Sequence, residues 1–189
     1  SVIEHPSVLN TLKNLKKRGL EVTLASVDKY GIVNVEEIKK NITNNTGLIS
    51  IMAANNEIGT IQPILEISKI AKENNILFHT DAVQLIGKEK FFIRELGVDF
   101  LTFSGHKIYA PKGVGGLYIK KGIKLCPLIM GGHHEKNRRA GTENVIGIAA
   151  LGKAFELLNV EMIDEIKKIK YLRDKLKDGI INRIKNISF

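Results

Sequence analysis

The sequence lacks the features that mark secreted and membrane-spanning proteins. It holds one cysteine, Cys126, so no disulfide can form within the chain, which fits a reducing compartment. Its apolar runs fall well short of the roughly 20 residues that a membrane-spanning helix needs. Hydrophobic residues make up 43% and charged residues 26% of the chain, which excludes the composition of disordered proteins. We therefore expect a folded cytoplasmic protein.

Aromatic residues are scarce, and this argues against nucleic-acid binding as the reason for the net positive charge. The chain has 29 Lys and Arg against 20 Asp and Glu, a net charge of +9, which could attract nucleic acid or anionic ligands. Aromatics amount to 6%, do not alternate with the basic residues, and form no known nucleic-acid module. The lysines are spread over predicted helix faces instead. We expect no nucleic-acid partner.

Helical and strand patterns alternate along the chain. The patterns predict helices at 7–18, 35–42, 64–73, 143–158 and 160–184, and strands at 21–25, 47–53, 76–80, 99–103 and 116–119, with strand-like residues at 1–4. This alternation predicts an α/β fold with a mainly parallel sheet flanked by helices. We expect residues 1–150 to form a large domain. Residues 151–189 would hold a bridging helix and the beginning of a smaller α+β domain, with a turn toward a strand just before Phe189.

Polar residues follow three of the predicted strands. They are Asn55 to Glu57, Asp81, and Ser104 to Lys107. In open parallel sheets, ligands bind outside the carboxyl ends of the strands. The sequence therefore predicts that these three segments share one site.

Lys107 is the strongest candidate for chemistry in the segment SGHKIYAPKGVGG. At the mouth of a sheet, partial burial would favour its neutral, nucleophilic amine, which can form a Schiff base with a carbonyl cofactor. Ser104 and His106 precede it as phosphate ligands would. An ordinary surface lysine is the alternative. The glycines have neither the dinucleotide-binding spacing nor that of a phosphate loop.

Asp81 is the second candidate, at the end of a predicted strand. A buried carboxylate needs a cationic partner, and the protonated ring nitrogen of a pyridine cofactor would be one. The alternative is a helix N-cap, for which Asp is favoured. Gln84 would lie about one turn further along and could face the same ligand; otherwise it is an exposed helix residue.

Taken together, five ordered segments resemble the cysteine desulfurases of the class V aminotransferase family, which are fold type I enzymes that use pyridoxal 5'-phosphate. The matching segments are 4–10 (EHPSVLN), 55–59 (NNEIG), 79–84 (HTDAVQ), 104–122 and 131–145. The resemblance covers essentially the whole chain. It also implies that the chain is a fragment lacking both ends, namely the N-terminal part of the cofactor-binding large domain and most of the small domain.

The resemblance implies a role for each candidate residue. Lys107 would bind the carbonyl of the cofactor and later move protons, and Asp81 would keep the pyridine nitrogen protonated. His5 would stack on the ring and assist proton transfer; a helix cap or surface residue is the alternative. Gln84 would donate to the phenolic oxygen of the ring.

Four further positions match the binding pattern of the family. Ser104 and His106 match phosphate ligands, and Asn56 matches a residue near the ring oxygen and the substrate carboxylate. Thr142 resembles a threonine that reaches the phosphate in the partner subunit, which implies a homodimer.

The activity implied is the conversion of L-cysteine to L-alanine, with the sulfur passing to an enzyme cysteine and then to an acceptor or scaffold protein for iron-sulfur clusters or thio-cofactors. That cysteine lies downstream in the family, and we expect Cys126 to be a small buried residue instead. We therefore expect the chain alone to be inactive and to bind the cofactor weakly. A selenocysteine lyase, another class V enzyme and a basic binding domain are the alternatives.

The neighbouring residues His133, His134 and Glu135 also suggest metal ligands. Adjacent histidines usually point in different directions, however, and Cys126 stands well apart in sequence. We therefore predict no metal site.

Overall fold

A four-stranded sheet organises the fold in the computed structural model, which describes residues 1–187. Its strands, in spatial order, are β1 (Leu48–Ser50), β2 (Leu77–Asp81), β3 (Phe100–Ser104) and β4 (Gly115–Ile119). The first three run parallel, and β4 pairs antiparallel with β3. The predicted α/β class with a mainly parallel sheet is confirmed.

Among residues 1–187, six α-helices accompany the sheet: α1 (Pro6–Lys17), α2 (Val35–Lys40), α3 (Ile64–Glu73), α4 (Ile93–Leu96), α5 (His134–Asn137) and α6 (Val145–Ile181). Helix α3 shows why the apolar spacing predicted it, because Ile64, Ile67 and Ala71 recur at helical intervals and are buried. Helix α2 begins where the side chain of Asn34 accepts a hydrogen bond from the backbone N–H of Glu37.

The core lies along the central strands of the sheet, and the residues after β1 run beside the end of β2. Phe78 and Leu101 are fully buried on neighbouring strands. Beyond β1, Ile51 and Ala53 still donate backbone hydrogen bonds, to the carbonyls of His79 and Asp81 respectively. Parallel pairing therefore continues past the formal end of β1 and sets the following loop beside Asp81.

Close approach between β3 and the chain that follows requires glycine at Gly115. A Cβ there would lie 2.6 Å from the backbone oxygen of Phe103. Across the same pair of strands, the ring of Phe103 covers Gly116 and meets Phe155 of α6 edge to face, with centroids 5.4 Å apart. These two glycines therefore serve strand packing.

Several predicted elements differ from the structure. Residues 1–4 form a turn and residues 21–25 form no strand, because in the part of the chain that the structure describes the two segments share one backbone hydrogen bond, from Val2 to Ala25 at 3.0 Å, and no continuous ladder. The two helices predicted at 143–158 and 160–184 form one helix, α6, because Asn159 between them does not break the helical pattern. Helix α4 was not predicted, since four residues show no periodicity. The turn toward a strand near Phe189 lies outside the described residues.

Helix α6 packs lightly against the rest of the chain. Of its 37 residues, only Gly147 and Ala154 are buried. Large apolar side chains are exposed along it, including those of Ile146, Val160 and Leu176. Across residues 1–187, no helix has both the length and the apolar character needed to cross a membrane.

Candidate active site

Asp81 and the Lys107 turn lie at the carboxyl ends of neighbouring parallel strands. Asp81 is the last residue of β2 and pairs with Thr102 of β3, and Ser104 is the last residue of β3. A short 3-10 turn, Gly105–Ile108, follows at once and carries Lys107. The structure thus brings the two strongest candidates to one edge of the sheet.

The carboxylate of Asp81 is buried, as the sequence predicted, with 9% of the residue exposed. Its Oδ1 accepts a hydrogen bond from the backbone N–H of Val83 at 3.0 Å. No regular helix follows; residues 83–88 form successive turns, in which Leu85 and Ile86 both donate to the carbonyl of Ala82. Asp81 therefore shapes the start of this turn segment, in place of the helix that the N-cap alternative requires.

Lys107 is exposed, which differs from the partial burial that we expected. The 3-10 turn buries its first and last residues, Gly105 and Ile108, and leaves the two residues between them facing outward. Gly105 is required here, because a Cβ would lie 2.9 Å from the carbonyl oxygen of Val114. The turn ends at Tyr109, whose φ of 66° is left-handed.

Ser104 and His106 form a polar pair next to this lysine. The Ser104 Oγ lies 2.8 Å from His106 Nδ1. Ser104 is half-buried and His106 is exposed. The four consecutive residues 104–107 thus supply a hydroxyl, an imidazole and an ammonium group. This donor set suits an anionic group such as phosphate.

Gln84 is half-buried in the turn segment after Asp81. Its Oε1 accepts a hydrogen bond from Lys88 Nζ at 3.1 Å. Burial and the positive charge of Lys107 lower the pKa of Lys88, while the negative charge of Glu165 opposes them. Sequence reasoning missed Lys88, although its spacing of four residues from Gln84 was a usable signal.

His5 caps helix α1, and the residue before it is hydrogen-bonded to the chain just after β1. Its Nδ1 accepts from the backbone N–H of Ser7 at 3.2 Å, and the ring is exposed. This is the capping arrangement that we considered as the alternative. Just before it, the buried Glu4 accepts a hydrogen bond from the backbone N–H of Met52 at 3.0 Å, which ties the segment to the chain after β1.

Asn56 is exposed in the loop that follows β1 and its extension through Ala53. Its buried neighbour Asn55 shapes this loop. The Asn55 Oδ1 accepts from the backbone N–H groups of Glu57 and Ile58, and its Nδ2 donates to the carbonyl of Ile3 at 3.0 Å. The loop and the His5 segment are therefore linked. Within residues 1–187, Thr142 makes no hydrogen bond with any of these candidates and lies exposed in the loop before α6.

His79 is a site neighbour that sequence reasoning left without a role. Its Nδ1 lies 2.7 Å from Ser50 Oγ of β1, and its Nε2 lies 3.2 Å from Thr102 Oγ1 of β3. The imidazole thus bridges all three parallel strands two residues before Asp81. Burial lowers the pKa of His79 below its ordinary value of 6.5, while Asp81 and Glu4 oppose the shift.

This lowered pKa predicts a loss of stability in mild acid. Below about pH 6.5 the unfolded chain binds a proton at His79 before the folded chain does, so the free energy of unfolding falls as the pH falls. Urea unfolding at about pH 7.5 and about pH 5.5 measures this. We expect His79→Gln to reduce the pH dependence and the matched change His133→Gln to leave it intact. An equal pH dependence in His79→Gln would contradict this role.

Cys126 is exposed, so the prediction of a small buried residue is wrong. It lies in the segment between β4 and α5, where Leu128 and Met130 are also exposed, because this segment packs little against the core. The nearby histidines have separate partners: His133 Nδ1 lies 2.6 Å from Asn137 Oδ1, and His134 Nδ1 accepts from the backbone N–H of Gly141.

Comparisons with known proteins agree on one family. The family model described as aminotransferase class-V matches residues 1–189. The cysteine desulfurase IscS of Dictyoglomus turgidum is 53% identical over 187 residues, which cover 99% of this chain and 48% of the relative. The chain thus spans about half the length of the curated relatives it matches.

Solved structures show the same likeness. A structure described as a NifS-like protein superposes with a TM-score of 0.92 at 46% identity, over 95% of this chain and 50% of its own. A structure described as SspA in complex with cysteine gives a TM-score of 0.80 at 42% identity, over 82% of this chain and 46% of its own. These solved structures therefore share the fold of this chain over most of its length.

Proposed function

The chain belongs to the class V aminotransferase family, and from this we propose that the protein is a pyridoxal 5'-phosphate-dependent cysteine desulfurase. The observation that carries the proposal is the placement of a buried carboxylate, Asp81, and a lysine turn at adjacent carboxyl ends of parallel strands. The relatives' names support cysteine as substrate. The reaction would convert L-cysteine to L-alanine and retain the sulfur on the enzyme.

The residues at this edge fit the proposed cofactor by the chemistry of their donor set. The buried carboxylate of Asp81 suits a protonated pyridine nitrogen, and the amine of Lys107 suits an aldehyde. The Ser104–His106 pair, held at 2.8 Å, suits a phosphate. The amide of Gln84 suits the phenolic oxygen of the ring.

Each residue would then have a defined task. When bound, the cofactor supplies an electron-withdrawing ring that stabilises negative charge at the substrate α-carbon. Lys107 would hold the cofactor through its amine and, once displaced by the substrate, accept the proton from that carbon. Asp81 would keep the ring nitrogen protonated through its negative charge.

The remaining candidates would bind and orient. His5, whose Nδ1 is held by the start of α1, would place its ring against the cofactor and assist proton transfer. Asn56 would lie near the ring oxygen and the substrate carboxylate. Thr142 would reach the phosphate of the cofactor in a second subunit, which makes a homodimer part of the proposal.

Sulfur transfer would need a cysteine other than Cys126, which lies in the segment between β4 and α5 and, within residues 1–187, makes no hydrogen bond with the proposed site. We propose that such a cysteine receives the sulfur and passes it to an acceptor or scaffold protein in the cytoplasm. We also propose that residues 1–150 belong to the cofactor-binding domain and residues 151–189 lead into a second domain, with α6 running through the boundary.

Alanine release from cysteine tests the proposed function. The natural full-length protein, incubated with pyridoxal 5'-phosphate and L-cysteine, should release alanine and form a protein-bound persulfide. Selenocysteine as the substrate distinguishes a desulfurase from a selenocysteine lyase, because the desulfurase should act on cysteine at least as well. Absence of alanine from either amino acid, with the cofactor present, would refute the proposal.

A further inference from the structure

We infer that Lys88 is a positioning residue that orients the side-chain amide of Gln84 for the proposed cofactor. The inference rests on the proposed function and extends it to a residue with no role in it so far. The contact that carries it joins Lys88 Nζ and Gln84 Oε1 at 3.1 Å.

The chemistry of this contact decides which way the amide faces. A lysine ammonium has three donors and no acceptor, so it can contact only the oxygen of the amide. The NH2 group of Gln84 is then left to donate elsewhere. A phenolic oxygen that carries negative charge needs such a donor and would be repelled by the amide oxygen. Lys88 therefore selects the orientation that the cofactor requires.

The backbone on both sides of Gln84 is held by hydrogen bonds, so the direction of its amide depends on the contacts of its side chain. Asp81 Oδ1 accepts from the N–H of Val83, and the N–H of Lys88 donates to the carbonyl of Leu85. Gln84 lies between these two anchored points and is half-buried. An Asn or Gln amide can otherwise rotate by half a turn at little steric cost, because its oxygen and nitrogen are nearly the same size.

Charges near Lys88 support a placement beside the site. Lys107 contributes a positive charge and Glu165 of α6 a negative one, and both act on the ammonium of Lys88. Glu165 also accepts a hydrogen bond from the hydroxyl of Tyr109 at 2.5 Å, directly after the Lys107 turn. The ammonium of Lys88, although the residue is exposed, therefore lies near charged groups that flank the Lys107 turn.

A double-mutant cycle tests the inference on the natural full-length protein. The variants are Lys88→Met, Gln84→Met and the double variant, and the readouts are the dissociation constant for pyridoxal 5'-phosphate and the pH midpoint of its visible absorption change. We expect Lys88→Met to weaken binding by about two- to tenfold, the usual worth of one hydrogen bond. In the Gln84→Met background the same change should have no further effect on either readout.

Two further variants separate positioning from charge and from folding. Lys88→Arg keeps a donor for the amide oxygen and should restore most of the affinity, whereas Lys90→Met, an exposed lysine two residues on, should change nothing. Urea unfolding of each variant shows whether the fold is retained.

The outcomes are distinguishable. If the effects of Lys88→Met and Gln84→Met simply add, or if Lys88→Met is silent while Gln84→Met weakens binding, the inference is overturned and the proposed function stands. If the unaltered protein binds no pyridoxal 5'-phosphate, both are overturned.

Discussion

Lys107→Ala is expected to abolish covalent attachment of pyridoxal 5'-phosphate and to lower the rate of alanine release from cysteine by at least about 10³-fold. The lysine supplies both the amine that holds the cofactor and the base that takes the α-proton, so one substitution removes two functions. Its exposed position in the 3-10 turn means that the fold should tolerate alanine.

The measurement combines borohydride reduction with peptide mass analysis and an alanine assay. Reduction should fix the cofactor to the peptide that contains Lys107 in the unaltered protein and to no peptide in the variant. Lys112→Ala is the matched control, because Lys112 is exposed in the same segment. Labelling of any other lysine in the unaltered protein would show that Lys107 does not have this role.

Asp81→Asn is expected to lower alanine release by about 10² to 10³-fold while leaving the fold intact. Asparagine keeps an oxygen that can accept the hydrogen bond from Val83, so the turn after β2 should persist. What disappears is the buried negative charge that would keep the ring nitrogen of the cofactor protonated. The absorption spectrum of the bound cofactor should change along with the rate.

Asp28→Asn is the matched control for this charge. The Oδ1 of Asp28 likewise accepts from the backbone N–H two residues on, that of Tyr30 at 2.8 Å, but Asp28 is exposed in the segment before α2. Its substitution should leave both activity and spectrum unchanged. A loss of activity in Asp81→Asn that is matched by a loss of folded protein would assign Asp81 a structural role instead.

Patterns in the sequence predicted the sheet and its polar edge because both depend on local regularities. Helix α3 was predicted with the bounds that the structure shows, since its apolar residues recur at helical spacing. The meeting of Asp81 with the Lys107 turn was predictable because neighbouring parallel strands end at the same edge. The chemistry of Lys107, Asp81 and the Ser104–His106 pair was inferred from residue type and position, the other roles came from the resemblance, and all of them stay predictions.

Pairing and exposure were harder to predict because they depend on what lies opposite each residue. Residues 21–25 have the composition of a strand, but within residues 1–187 they share only one backbone hydrogen bond with another segment, from Val2 to Ala25, and a strand needs a continuous ladder. Cys126 is exposed because its segment packs little against the core, which residue type alone does not reveal.

The order of helices, strands and polar residues along this chain was therefore determined by the sequence itself, through periodicity and strand ends. Only the tertiary structure decided that His79 bridges three strands and that Lys88 contacts Gln84. The physical reason is that a hydrogen bond between side chains forms only when the donor–acceptor distance is right to within a few tenths of an ångström. Packing sets that distance, and residue order does not.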